Sequence, residues 1–172
     1  ASVRTKFYDK NGNLLTSAAD PEYIAPHCKK YEDYDRVMDA GASSKNIYFI
    51  RYADLILLYA ECLLAENDLA GAKQQVIRVR NRAKVSTPIT ASNNTEMLDF
   101  IYEERMRELG MEGWRRMDLI RRGADYFAAQ VDKYNPFAKG NVQPYHAFYP
   151  IPTNEINMND GIGAEDQNEG YK

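Results

Sequence analysis

The sequence predicts a mainly α protein, an irregular helical scaffold with an αα-hairpin and long ordered loops. Three observations carry that expectation. Apolar residues recur at three- and four-residue spacing through residues 52–66, 69–83 and 95–123. A short polar break at Asn67-Asp68 separates the first two stretches, as expected of a tight helical hairpin. Strand-like patterning is confined to brief runs at residues 3–8 and 47–50, and regular periodicity fades after Asp132.

The stretch from Thr95 to Gly123 organises the rest. Leu98, Ile101, Tyr102, Met106 and Leu109 keep helical spacing behind a capping Thr95. A joint at Gly110 and Gly113 leads to a second apolar line through Trp114, Met117 and Ile120, and Gly123 is placed to end that helix in a left-handed turn. Charge is mixed into this apolar pattern. Glu103 to Arg107 and Asp118 to Arg122 have the spacing of intrahelical pairs, each worth about 0.2–0.5 kcal/mol when exposed. So small a contribution does not account for Arg105 in the apolar stripe, and a buried arginine requires a carboxylate from another element.

The helix expected from Tyr52 to Glu66 supplies candidates. Leu55, Ile56, Leu58, Tyr59, Cys62, Leu63 and Leu64 cover more than one face, which places the helix centrally. Arg51, Asp54, Leu58 and Glu61 share one line along it. Asp54 and Glu61 are thus expected to pair with Arg105, or with Arg107 and Arg115, as internal counterions. Asp68 is a plausible cap for the helix from Leu69 to Ala83, where Ala70, Gly71 and Ala72 would permit close approach to its partner.

At the start, Val3 to Tyr8 reads as a short strand and Asn11-Gly12-Asn13 as a turn, and Tyr31 and Tyr34 are expected to face the helices. Beyond Gly123, Asp125 could cap a helical stretch carrying Phe127, Ala128 and Val131. Pro150 and Pro152 restrain the chain around Ile151, Thr153 could cap a single turn, and Tyr149 and Ile151 are expected to be packed.

A chain of 172 residues suits one domain, divided into a variable segment (1–46), a helical core (47–131) and a looped C-terminal segment (132–172). A net charge of −3 gives no support for binding nucleic acid or a membrane surface. Cys62 is expected to be a small buried residue, with a free thiol at Cys28 or a Cys28–Cys62 pair both left open. His27, Cys28, Cys62 and His146 lack zinc spacing, no phosphate loop or nucleophile elbow occurs, and no metal or cofactor is expected. Tyr134, Phe137, Tyr145 and His146, with nearby Asn135 and Asn141, are a set of aromatic and amide groups suited to a sugar face. Packing under loops is the better explanation of any one of them.

The motifs IRYADLILLYAECLLAEND, VIRVRNRA, IYEERMRELGMEGWRRMDLIRRG, FYPIPTNEI and QNEGY, in that order, resemble the C-terminal region of the SusD/RagB family over residues 47–172. The resemblance implies a helical scaffold with tetratricopeptide-like helix packing. It also implies a non-enzymatic glycan- or nutrient-binding lipoprotein on the outer surface of Bacteroidetes cells, partnering a TonB-dependent outer-membrane transporter in oligosaccharide uptake. The lipid anchor and a larger N-terminal part would lie outside this chain, whose opening residues look like the interior of a longer one. Arg51, Asp54, Glu61, Glu104, Arg107, Glu112, Arg115 and Asp118 fall in the matched motifs as scaffold residues, and with Arg105 they form the expected ion network. No ligand-contacting residue carries over from the family by position. A helical protein-interaction module without a small ligand is the alternative, and a carboxylate glycosidase stands third.

Overall fold

The computed structural model describes residues 3–4, 27–31 and 45–172. Among these the architecture is mainly α. Two-residue strands β1 (Val3–Arg4) and β2 (His27–Cys28) pair antiparallel, with Val3 opposite Cys28 and Arg4 opposite His27. Six α-helices follow: α1 (Tyr52–Ala65), α2 (Leu69–Arg82), α3 (Asn94–Glu108), α4 (Arg115–Ile120), α5 (Ala124–Tyr134) and α6 (Thr153–Met158). The turn expected at residues 11–13 and the side chain of Tyr34 lie outside the described residues. The chain groups into two compact units, residues 1–113 and 114–172.

In the first unit α1 and α2 form the hairpin, and its turn follows from local chemistry. Asn67 takes φ 61°, which lets the Asp68 N–H reach Leu63 O at 2.8 Å and the Asn67 N–H reach Leu64 O at 3.0 Å. Both bonds satisfy carbonyls that the helix end would otherwise leave open. The Asp68 side chain then accepts from the Gly71 N–H at 2.8 Å, capping α2. A Cβ on Gly71 would fall 2.1 Å from that carboxylate, so this glycine makes room for the cap and not for α1. The C-terminus of α2 repeats the same closure, with Lys84 at φ 56° and bonds from Lys84 to Asn81 and from Val85 to Arg80.

The core of this unit joins Leu57, Ala60 and Leu64 of α1, Ala72, Val76 and Val79 of α2, and Met97 and Ile101 of α3. Leu55, Tyr59 and Cys62, expected in the core, are exposed instead, and with Tyr52 they form an apolar stripe along α1. Only one face of α1 meets α2 and α3, so the second apolar face has no covering element among the described residues. Helix α3 begins two residues earlier than Thr95 would place it. Asn93 is the cap, accepting from the Glu96 N–H at 3.0 Å, while Glu96 accepts from the Ser92 N–H and hydroxyl. At the joint the positive φ values belong to Met111 (67°) and Gly113 (85°), not to Gly110.

In the second unit Leu119, Phe127 and Ala147 form the core, flanked by Ile120, Tyr126, Val131 and Val142. Met117, expected in the apolar line, is 61% exposed, and the buried positions of α4 are Asp118 and Leu119. Gly123 has φ 109° and ψ 154°, an extended backbone of positive φ and not a left-handed helical turn, and it precedes α5 in the place expected for Asp125. Thr153 is the first residue of α6, which starts after Pro152 without a side-chain cap.

The C-terminal coil is held by side chains reading backbone. The Ile151 N–H donates to Gln167 Oε1 at 2.7 Å, and Gln167 Nε2 donates to Ile151 O at 2.9 Å. Asn168 Nδ2 donates to Tyr149 O and the Tyr171 hydroxyl donates to Phe148 O. With prolines on both sides, Ile151 offers the one N–H in its tripeptide, and the Gln167 amide pairs with it as a strand would. Tyr149, expected to be packed, is 71% exposed, although its ring lies 4.2 Å from the Arg116 guanidinium.

Candidate functional site

Charged residues converge on the C-terminal half of α3, whose inward face carries Glu104, Arg105 and Glu108 among its apolar residues. Arg105 is buried; its Nη2 lies 2.7 Å from Asp54 Oδ1 and its Nη1 donates to Asp54 O at 3.4 Å. Glu61 stands farther off, with Oε1 4.0 Å from Arg105 Nε, and also accepts from the Tyr102 hydroxyl. Glu104 takes Arg80 Nη1 from α2 and Arg107 Nη2 from its own helix, both at 2.9 Å. Glu103 lies 3.6 Å from Arg107 at the surface.

Two further carboxylates are shared in the same way. Glu108 accepts from Arg51 Nη1 at 2.9 Å and pairs with Arg82 Nη2. Glu112, just past α3, receives Arg51 through Nε and Nη2 and Lys30 through Nζ at 2.5 Å. Lys30 also donates to the carbonyls of Glu108 and Gly110, closing the end of α3. Burial pushes the Glu112 carboxyl up, but hydrogen bonds and charge from Arg51 and Lys30 outweigh it and hold it below the ordinary glutamate range. The Arg51 guanidinium is raised in turn, chiefly by its hydrogen bonds to Glu112 and against burial.

The cluster borders a groove of about 870 Å³ lined by Lys30, Tyr48, Arg51, Arg80, Arg82, Val85, Glu104, Met106, Arg107 and Glu108, among others. Sequence reasoning missed Lys30, Arg80, Arg82 and Glu108 as members of this set. Arg80 and Arg82 alternate with apolar residues near the end of α2, where they read as a solvent-facing basic tail. Lys30 sits in an aperiodic segment far away in sequence.

Arg115 and Asp118 belong to the second unit. There Arg121 Nε and Nη2 lie 3.3 Å from the buried Asp118 Oδ1. The four aromatic candidates also lie in this unit, in two settings. Tyr145 and His146 are half-buried, with ring centroids 4.2 Å apart, and Tyr171 packs edge-on against Tyr145 at 5.1 Å. His146 Nδ1 accepts from the Gln143 N–H at 2.9 Å, which leaves the proton of the neutral ring on Nε2. Tyr134 is exposed at the end of α5, and Phe137 is 96% exposed in the following turn. Arg116 lies between the rings of Phe127 and Tyr149 and donates to the carbonyls of His146 and Ala147, tying this coil to α5. Among the described residues no group of three or more His, Cys, Asp or Glu side chains could hold a metal ion. No helix among them is long and apolar enough to cross a membrane.

Comparison with known proteins bears on what these surfaces are for. The chain matches the SusD family over residues 3–171. It is 34% identical over 134 residues to "SusD-like protein P25" of Formosa agariphila, covering 75% of this chain and 25% of that protein. It is 32% identical over 142 residues to "Starch-binding protein SusD" of Bacteroides thetaiotaomicron, covering 79% of this chain and 23% of that protein. The chain thus spans about a quarter of the length of these relatives. No solved structure matches it at a significant level. With a family match running almost from end to end, the chain belongs to the SusD family.

Proposed function

We propose that this chain is the C-terminal part of a longer surface protein that binds glycan or a related nutrient and passes it to a TonB-dependent outer-membrane transporter. The match to the SusD family over residues 3–171 is the observation that carries this reading. A relative named for starch binding supports a saccharide ligand. In this reading the protein is held at the outer surface of the outer membrane by a lipid anchor outside the chain, and its role is binding and not catalysis. The 172 residues act as one domain with tetratricopeptide-like helix packing. Its ligand face includes Tyr134, Phe137, Tyr145 and His146, of which Phe137 has the most exposed ring.

The absent part of the polypeptide covers the α1 stripe of Tyr52, Leu55, Tyr59 and Cys62. Relatives more than about three times as long leave ample chain to do so. A helical interaction module without a small ligand is the second reading, and the same stripe is the feature that favours it. Calorimetry of the longer protein and of the 172-residue chain against oligosaccharides separates the two. Saccharide binding by the longer protein, together with its co-purification with a TonB-dependent transporter, is expected. A longer protein that binds no oligosaccharide and instead captures a helical partner through α1 would overturn the proposal.

A further inference from the structure

The groove between α2 and the end of α3 combines features that a purely internal ion network does not need. Among the described residues five cations reach it, Lys30, Arg51, Arg80, Arg82 and Arg107, and three buried carboxylates pair with them, Glu104, Glu108 and Glu112. Each carboxylate is shared by two cations, so among the described residues the cations outnumber the carboxylates around them, with the exposed Glu103 offsetting the difference in part. This excess stands against a chain whose net charge is −3.

Within the cluster Arg82 is distinct. Its side chain is 60% exposed and it contacts one carboxylate, Glu108, through Nη2. Among the described residues its Nε and Nη1 donors have no other partner, and they border a groove large enough for a small molecule. The same groove is lined by the exposed ring of Tyr48 and by the apolar Val85 and Met106. A groove lined by a guanidinium fork, an aromatic ring and aliphatic side chains suits a ligand with an oxyanion on a ring that has an apolar face.

We propose that this groove, through Arg82 and Tyr48, binds an acidic saccharide, with a carboxylate or sulfate ester on the sugar directed to the guanidinium. The saccharide half of this inference rests on the glycan-binding reading above, whereas the oxyanion half rests on the groove alone. Its lining residues all belong to the first unit.

The experiment is calorimetry of the 172-residue chain, and of the longer protein, with an oligogalacturonate, a sulfated oligosaccharide and a neutral oligosaccharide of equal length. Acidic ligands are expected to bind roughly tenfold or more tighter than the neutral one, with affinity falling as salt rises. Tighter uronate binding assigns the carboxylate, and tighter binding of the sulfated ligand assigns the sulfate ester; either supports the site. Arg82→Gln is expected to weaken acidic-ligand binding by about fivefold to tenfold, with Arg82→Lys intermediate. Arg51 still pairs with Glu108, so an unchanged melting profile is expected for both variants. Tyr48→Ala is expected to weaken oligosaccharide binding while leaving unchanged any competition by added inorganic sulfate, which reads the guanidinium alone. Equal affinity for neutral and acidic ligands, or no loss in a folded Arg82→Gln variant, overturns the proposal. Binding of inorganic sulfate without any acidic saccharide overturns its sugar half. If the longer protein binds neutral saccharide and Arg82→Gln has no effect, this site fails while the general reading stands. If the longer protein binds no saccharide of any kind, the general reading fails.

Discussion

Glu112 holds two cations from distant parts of the chain, Lys30 and Arg51, on one carboxylate. Its pKa is depressed in the fold, so its stabilising contribution is complete above the ordinary glutamate value of 4.5 and is lost as pH falls through the lower folded value. Stability measured by urea unfolding should therefore change little through this group from neutral pH to about pH 5 and fall below that. Glu112→Gln should flatten that acid limb and cost about 2 kcal/mol at neutral pH, the scale of a charged hydrogen bond lost from a buried site. At Arg105 and Asp54 the asymmetry of buried pairs applies. Arg105→Met alone should cost about 3–5 kcal/mol by stranding Asp54, and adding Asp54→Leu should recover most of the loss in thermal unfolding. Gly170 has φ 84°, and a Cβ there would lie 2.3 Å from the Tyr145 ring. Gly170→Ala should therefore release the C-terminal coil, seen as lost amide protection at Ile151.

At the scale of elements, helix closure has measurable consequences. Lys84 ends α2 at φ 56° without being glycine. Lys84→Gly should raise stability by about 1 kcal/mol in chemical unfolding, because a side chain in the left-handed region costs about that much. Asn93→Ala should lower it by about 1 kcal/mol through loss of the α3 cap, whereas Thr95→Ala should be close to neutral. This contrast shows where the sequence was legible. The hairpin and α3 follow from apolar spacing, and the Asp68 cap from its position before an apolar run. Thr95 failed as a cap because Ser92, Asn93 and Glu96 together form a better one two residues earlier. Met117 was misplaced because α4 has six residues, too short for periodicity to single out a face, whereas Thr153 lost the cap position because α6 starts directly after Pro152. In the groove, Arg51 and Glu104 could be singled out from their motifs. Arg80, Arg82 and Lys30 could not, since their roles depend on tertiary approach that no local spacing encodes. The amide of Gln167 pairing with Ile151 was hidden for the same reason, across an exposed coil without repeat.

For the molecule as a whole, the two compact units carry different kinds of surface. The first holds a dense ion-paired groove and a bare apolar stripe, and the second holds aromatic side chains on irregular backbone. The stripe also explains why α1 looked fully central from its leucines: its sequence is written for two partners, and α2 with α3 supplies one. Cys62 lies on the uncovered side with an exposed thiol. That exposed thiol is a chemical reporter for the stripe. Alkylation mapped to the Cys62 peptide should be rapid in the 172-residue chain and slow in any longer form where another helix shields α1, so a single rate of thiol labelling reads whether the scaffold is complete.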